Sequence, residues 1–159
     1  MASAHGPATA DVAGRHETGP LQRLVNRAAE QITRLSATEA FGAACAGGLI
    51  LDIRSEDACE RHGVIPGSLH IPRTVLEWRV ALDSPWRNRH LGGPDQQLIL
   101  ICDHGYSSIL AAANLVALGF HRAGDVIGGF QSWTEHGLPV TPFRRLSAAD
   151  ALPGTGPAQ

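Results

Sequence analysis

Short aliphatic runs followed by helical patterns are the feature that most constrains the fold of this 159-residue chain. The clearest run is residues 98–101, Leu-Ile-Leu-Ile, and a similar run covers residues 49–53. Strands without polar alternation are typical of a parallel sheet that is buried on both faces. An Ala- and Leu-rich helical pattern over 108–118 follows the first run and ends at Gly119. This order predicts an open α/β fold with a mostly parallel sheet.

Local signals predict further elements along the chain. Ser36 and Glu39 have the spacing of a capping box, which predicts the beginning of a helix that continues to about Cys45. An amphipathic apolar stripe predicts an earlier helix over 21–32. We also predict helices over 57–62, over 75–82 and after the Gly128–Gly129 pair, and strands over 69–71 and 126–127.

Charge and composition exclude several classes of function. The net charge is −2, with 13 cationic and 15 acidic residues, so the chain lacks the basic character of a nucleic-acid-binding protein. Every cationic residue is Arg, which excludes lysine Schiff-base chemistry and a phosphate-binding loop with a lysine. No apolar run reaches the length of a transmembrane helix, about 18 residues, and residues 1–20 do not resemble a signal peptide. A cytoplasmic location is therefore expected, without nucleic-acid or membrane partners.

Composition also predicts the domain organisation. Small and polar residues dominate 1–20, and Ala, Gly and Pro dominate 147–159. We predict that both segments are disordered tails. Residues 21–146 are long enough for one domain of ordinary size.

Cys102 is the candidate nucleophile, because it directly follows the apolar run at 98–101 and precedes a helix. Ligands bind at the carboxyl ends of strands in folds of this class. Gly105 lets the backbone curl, so that successive N–H groups at the helix N-terminus can form an anion cradle. A thiol in such a cradle has a lowered pKa and is nucleophilic as its thiolate. Asp103 opposes this effect by its negative charge, and His104 offsets Asp103 when it is protonated.

The alternative for Cys102 is a small buried hydrophobic residue, which is common for a cysteine at a strand end. The chain has two other cysteines, neither followed by a glycine-bearing loop. Cys45 lies in an Ala-rich helical pattern and is predicted to be a core residue. Cys59 is expected to be partly exposed in its short helix. His62 and His70 have no carboxylate or cysteine spaced to complete a metal site, so no metal is expected.

Three segments of the sequence resemble the rhodanese-like domain. The first is the Leu51-Asp-Ile-Arg54 segment with His62-Gly-Val-Ile-Pro-Gly-Ser68 and Ile71-Pro72. The second is the loop from Cys102 to Ser108 with its helix, and the third is Gly128-Gly-Phe-Gln-Ser-Trp133 with Gly137-Leu-Pro139. The likeness covers residues 32–142.

This resemblance implies a sheet of five parallel strands flanked by helices, and it implies a sulfurtransferase. Cys102 matches the family's nucleophile, which takes sulfur from a donor such as thiosulfate and passes it from a persulfide to cyanide or a thiol. The resemblance implies that backbone N–H groups of the loop hold the persulfide and that no cofactor is needed. The substrate-binding residues implied in the loop are Asp103, His104, Gly105, Tyr106, Ser107 and Ser108, with Tyr106 as a wall of the pocket.

The loop departs from the family's pattern in its charge. Ser107 occupies a position where many active members carry Arg. Arg73, after the Ile71-Pro72 segment, is therefore predicted to line the pocket and supply positive charge, the alternative being a solvated surface arginine; Arg79 is a second source. Related phosphatases carry Arg six positions after the cysteine, where this chain has Ser108, so a phosphate dianion would lack its bidentate partner.

Two further residues, Asp52 and Arg54, are predicted to support the site, and two alternative functions remain open. Asp52 and Arg54 match the family's Asp-x-Arg segment, either as groups near the active-site loop or as a structural pair. One rival function is a non-catalytic rhodanese-like module that binds an unidentified partner protein. The other is a thiol-based redox sensor, in which Cys102 oxidises and Cys59 forms a disulfide with it.

Overall fold

A computed structural model describes residues 19–145 of the chain and confirms the open α/β fold. All five strands of its sheet are parallel, in the order β1-β5-β4-β2-β3. The sheet therefore has the strand number that the family resemblance implied. The strands are β1 (Thr33–Leu35), β2 (Leu49–Asp52), β3 (Leu69–His70), β4 (Leu98–Ile101) and β5 (Ala123–Val126).

Six α-helices and one 3₁₀ turn connect and cover the strands within the described residues. Helices α2 and α6 pack together on one face, whereas α4 and α5 pack together on the other. Helix α1 lies outside them, against α5. The helices are α1 (Pro20–Ala29), α2 (Ala37–Cys45), α3 (Glu56–His62), α4 (Leu76–Val80, after the 3₁₀ turn Arg73–Val75), α5 (Ser107–Ala117) and α6 (Gly129–Glu135).

The central strand β4 divides the hydrophobic core into two layers. Leu98 and Leu100 face α4 and α5, whereas Ile99 and Ile101 face α2 and α6. All four side chains are fully buried. An apolar residue at every position is therefore required by packing on both faces, as the continuous run predicted.

The first helix and the last strand differ from their predicted bounds, and one strand was not predicted. The first helix ends at Ala29 instead of continuing to residue 32, because the chain turns there into β1, which was not predicted. Leu21 and Leu24 of the predicted apolar stripe remain exposed. The last strand covers Ala123–Val126, not residues 126–127. Both misread strands contain polar residues or glycine, so neither has the aliphatic run that identified β2 and β4.

The predicted disordered tails, 1–20 and 147–159, lie outside the described residues except for Gly19 and Pro20. Pro20 belongs to the first turn of α1, where its fixed φ suits the helix. Among residues 19–145, every helix is too short or too polar to cross a bilayer.

The capping box predicted at the beginning of α2 is present. The Ser36 hydroxyl accepts a hydrogen bond from the Glu39 backbone N–H at 3.3 Å, and Glu39 Oε2 accepts one from the Ser36 N–H at 2.8 Å. We expect Ser36→Ala to lower the free energy of unfolding by about 1 kcal/mol, because it leaves a helix N–H without its partner. Urea denaturation measures the change. Ser36→Thr keeps the hydroxyl, and an equal loss in that variant would contradict the capping role.

Candidate active site around Cys102

Cys102 lies at the carboxyl edge of the sheet, directly after the central strand β4. Neighbouring β2 continues to this edge, where the Ile53 N–H donates to the Ile101 carbonyl at 3.0 Å. The chain then curls through residues 102–106 and enters α5 at Ser107. Cys102 is 6% exposed and is therefore nearly buried.

The N-terminus of α6 fixes the direction in which the loop peptides point. The Phe130 N–H donates to the Cys102 carbonyl at 2.8 Å, and the Gln131 N–H donates to the Asp103 carbonyl at 3.0 Å. With these carbonyls held outward, the Gly105 N–H turns inward and donates to Cys102 Sγ at 3.1 Å. The loop therefore presents a donor to its own cysteine.

Close backbone contact with α6 explains the glycines of the motif. Gly105 has φ +79°, and a Cβ there would lie 2.6 Å from the Gly128 nitrogen. Gly129 has φ +62°, and a Cβ there would collide with the Cys102 carbonyl and the Gly105 nitrogen. The Gly128–Gly129 pair is thus the surface on which the loop rests, and a side chain would separate the two.

Hydrogen bonds favour the thiolate form of Cys102 against the effect of burial. Burial raises the pKa of the Cys102 thiol, but hydrogen bonds from the Ser107 and Ser108 hydroxyls and from the N–H groups of Ser108 and Gly105 outweigh it. The net result is a pKa below the ordinary value for cysteine. Ser108 Oγ lies 3.3 Å from the sulfur.

A buried carboxylate that the sequence analysis missed lies behind the loop. Ser108 Oγ donates to Asp125 Oδ2 at 3.2 Å. Asp125 also receives two hydrogen bonds from Arg34, which lies opposite it in the β1–β5 register. Asp125 is fully buried. The sequence signal for this carboxylate was an aspartate inside the short Ala-Gly-Asp-Val segment, but the sequence did not indicate the residue with which it pairs.

Asp52 and Arg54 form a buried ion pair at the end of β2. Arg54 Nε donates to Asp52 Oδ1 at 2.9 Å, and Arg54 Nη2 donates to Asp52 Oδ2 at 2.6 Å. The guanidinium also donates to the Gly63 carbonyl and stacks 3.6 Å from the centre of the Phe130 ring. This pair joins β2, the turn after α3, and α6.

Arg73 and Arg79 have partners outside the loop. Arg73 Nη1 pairs with Glu77 at 2.9 Å, and Asn114 also donates to that carboxylate. Burial raises the pKa of Glu77, but the Asn114 hydrogen bond and the Arg73 charge outweigh it and hold the carboxylate ionised. Arg79 donates to the Trp86 carbonyl. The positive charge predicted for the pocket from Arg73 is therefore compensated by Glu77.

Two cavities lie beside the loop, and Arg73 lines neither. The first, about 360 Å³, is bounded by the loop residues Asp103 and His104 together with α3 and α6. The second, about 450 Å³, is lined in part by Tyr106, which is exposed. The residues that line the first are His62, Asp103, His104, Phe130, Gln131 and Thr134; those of the second are His104, Tyr106, Gly128, Gln131, Ser132 and Glu135.

Two hydrogen bonds of Gln131, on α6, orient His104. Gln131 Nε2 donates to Glu135 at 2.8 Å, which leaves Gln131 Oε1 to accept from His104 Nδ1 at 2.9 Å. The Nδ1 atom therefore carries a proton in this arrangement and donates it to Gln131. Within residues 19–145 the structure has no group of three or more His, Cys, Asp or Glu side chains arranged to hold a metal.

The predictions for the other two cysteines are wrong. Cys45 is exposed, not part of the core, because it lies on the outer side of α2. Cys59 is fully buried, not partly exposed, with its thiol 3.8 Å from Asp52 Oδ2. Burial and the Asp52 charge raise the pKa of Cys59 to about 12. Cys59 is therefore a protonated, unreactive thiol at neutral pH.

Comparisons with known proteins agree with this geometry. The sequence profile described as "Rhodanese-like domain" matches residues 36–136. The thiosulfate sulfurtransferase GlpE of Pseudomonas entomophila is 31% identical over 65% of this chain and 85% of its own length. Thiosulfate sulfurtransferase 18 of Arabidopsis thaliana is 26% identical over 70% of this chain and 85% of its own length.

A solved structure shares the fold as well. It is a Rhodopseudomonas palustris protein of unknown function, described as a possible tyrosine phosphatase. It is 28% identical, with a TM-score of 0.71, over 78% of this chain and 96% of its own length.

Gly105→Ala tests the close contact between the loop and α6. We expect a large loss of stability together with an iodoacetamide alkylation rate of Cys102 reduced about tenfold, because the loop must move away from Gly128 and takes its N–H donor with it. Gly67→Ala is the matched control, since Gly67 has a similar φ of +77° with open space around its Cβ position. It should cost about 1 kcal/mol and leave the alkylation rate unchanged. Equal effects of the two substitutions would contradict the contact.

Proposed function

The chain belongs to the Rhodanese-like domain family, and on that premise we propose that it is a sulfurtransferase in which Cys102 carries the transferred sulfur. The observation that carries this proposal is the Cys102 sulfur, which is buried, surrounded by hydrogen-bond donors and has a lowered pKa. Relatives named thiosulfate sulfurtransferases support the same reaction class. No metal or organic cofactor takes part in the proposed reaction.

The proposed reaction has two half-reactions. In the first, the Cys102 thiolate attacks the outer sulfur of thiosulfate, the S–S bond of the donor breaks, and sulfite leaves with the bonding electron pair. Cys102 now carries a persulfide anion. In the second, cyanide or a thiolate attacks that outer sulfur and leaves as thiocyanate or as a new persulfide, which restores the Cys102 thiolate. Covalent transfer of this kind is a ping-pong reaction.

The loop donors are suited to both charged forms of the cysteine. The Gly105 N–H and the Ser107 and Ser108 hydroxyls favour a negative charge on sulfur where water is largely excluded. We propose that the remaining N–H groups at the beginning of α5 hold the outer sulfur of the persulfide and the departing anion. His104 and Tyr106 border the cavities through which donor and acceptor would enter.

The charge around the loop disfavours a doubly negative donor. Asp103 and Glu135 border the two cavities, whereas Arg73 is paired with Glu77. We propose that thiosulfate is therefore a poor donor for this pocket. Donors with less negative charge, including persulfides of small thiols, suit this pocket better.

The alternatives receive less support. Ser108, six positions after Cys102, points back to Asp125, so the loop offers no guanidinium fork for a phosphate dianion. The buried thiol of Cys59, with its raised pKa, is poorly suited to resolve an oxidised Cys102. A partner-binding module without catalysis would not need hydrogen bonds aimed at Cys102. We place the activity in residues 21–146 and in the reducing cytoplasm, where the free thiols would be preserved.

Mass spectrometry of the intact protein tests the sulfur carrier. Treatment with a sulfane donor, followed by removal of the excess donor, should add one sulfur atom to the wild type. Cys102→Ser should show no addition, because serine cannot form a persulfide, whereas Cys45→Ser should still gain the sulfur. The non-catalytic module would instead be supported by two results together. The wild type gains no sulfur from thiosulfate, polysulfide or a glutathione persulfide, and a pull-down with Cys102→Ser recovers the same partner proteins as one with the wild type.

Asp103→Asn tests the charge argument. Removing this exposed negative charge should lower the KM for thiosulfate by about threefold and change the KM for a neutral sulfane donor little, since surface charges act weakly. Steady-state kinetics with both donors measures the difference, at low salt. Asp103→Glu keeps the charge and should behave as the wild type. A KM for thiosulfate that does not respond to Asp103→Asn would contradict the proposed repulsion.

A further inference from the structure

The Ser108 hydroxyl lies between two groups that both attract its proton. Its oxygen is 3.3 Å from Cys102 Sγ and 3.2 Å from Asp125 Oδ2. Ser108 and Asp125 are fully buried, and Cys102 nearly so. The Ser108 hydroxyl thus connects Cys102 to Asp125 of β5.

A hydroxyl has only one proton to donate, so its partners depend on the state of the sulfur. When Cys102 is a thiol, its S–H donates to Ser108 Oγ and the Ser108 hydroxyl donates to Asp125. When Cys102 has lost its proton to solvent, the sulfur can only accept. The thiolate and the Asp125 carboxylate then compete for the same proton.

Arg34 weakens the Asp125 side of this competition. Its guanidinium donates to both carboxylate oxygens, at 2.9 and 3.1 Å, and neutralises the charge that would otherwise repel the thiolate. Arg34 lies on the edge strand β1 with its side chain 30% exposed. A group near the surface thereby acts on a sulfur that it does not contact.

We propose that Ser108, Asp125 and Arg34 are positioning residues of the sulfur transfer, in which Arg34 restrains Asp125 so that the Ser108 hydroxyl is free to turn to the Cys102 thiolate. Ionisation sends the thiol proton to water and reorients the hydroxyl, and no proton is transferred to Asp125. This relay of Arg34, Asp125 and Ser108 thus sets the fraction of Cys102 that is present as thiolate at a given pH.

Other charged groups face Cys102 or its loop, and they provide a constant background in every variant below. They come from the loop itself, from the end of β2 and from the helices that border the cavities. These groups are Asp103 and His104, the Asp52–Arg54 pair, His62 and Glu135.

The rate of alkylation of Cys102 by iodoacetamide across pH 5–10 tests the proposal in a Cys45→Ser background, where Cys102 is the accessible thiol. Below the midpoint of the profile, Ser108→Ala should slow the reaction about tenfold, because a thiolate loses a donor. Arg34→Gln should slow it several-fold and move the midpoint to higher pH. Asp125→Asn should accelerate it several-fold and move the midpoint to lower pH, because the neutral amide competes less for the hydroxyl proton.

Asp125→Asn should change the alkylation rate in the opposite direction to the other two variants. This distinguishes the relay from a purely structural role, since a disordered loop would change the rate in the same direction in all three. Slower alkylation in folded Asp125→Asn overturns the proposal. If that variant does not fold, Arg34→Gln in a Ser108→Ala background decides. In that background, Arg34→Gln should change the alkylation rate much less than it does in a chain that retains Ser108. An equal change in the two backgrounds overturns the relay. The proposal rests on Cys102 as the reactive thiol of the proposed function, but alkylation needs no sulfur donor, so the two can fail separately.

Discussion

The two hydrogen bonds from the beginning of α6 to the loop carbonyls are the interaction on which the rest of the site depends. The Phe130 and Gln131 N–H groups hold the carbonyls of Cys102 and Asp103 away from the sulfur. The Gly105 N–H consequently points to the sulfur. Gly128 and Gly129 make this approach sterically feasible, and Trp133, fully buried, anchors the helix that carries the donors.

The lowered pKa of Cys102 follows from a balance between burial and hydrogen bonding. Burial alone would keep the thiol protonated, as it does for Cys59, which has Asp52 as its neighbour instead of a set of donors. Cys102 is placed where two backbone N–H groups and two hydroxyls outweigh the same penalty. The pKa values of two thiols in one small domain are therefore shifted in opposite directions by their immediate surroundings.

The sequence identified the parts of this protein whose signal is local. The aliphatic run of β4, the Ser36–Glu39 capping box and the glycine-bearing loop each have a pattern within a few residues, and the structure has all three. Strand β1 and residue Asp125 were missed because their meaning depends on pairing. Arg34 and Asp125 are 91 residues apart in the chain and meet only when β1 and β5 become neighbours. The exposures of Cys45 and Cys59 depend likewise on which side of each helix faces the sheet.

In the proposed reaction, sulfur resides covalently on Cys102 between two separate half-reactions. Rapid mixing of the protein with excess thiosulfate, in the absence of any acceptor, measures it most directly through the sulfite that is released. We expect a burst of about one sulfite per chain, followed by no further release until cyanide or a thiol is added. Sulfite that appears only when the acceptor is present from the beginning would contradict the persulfide intermediate.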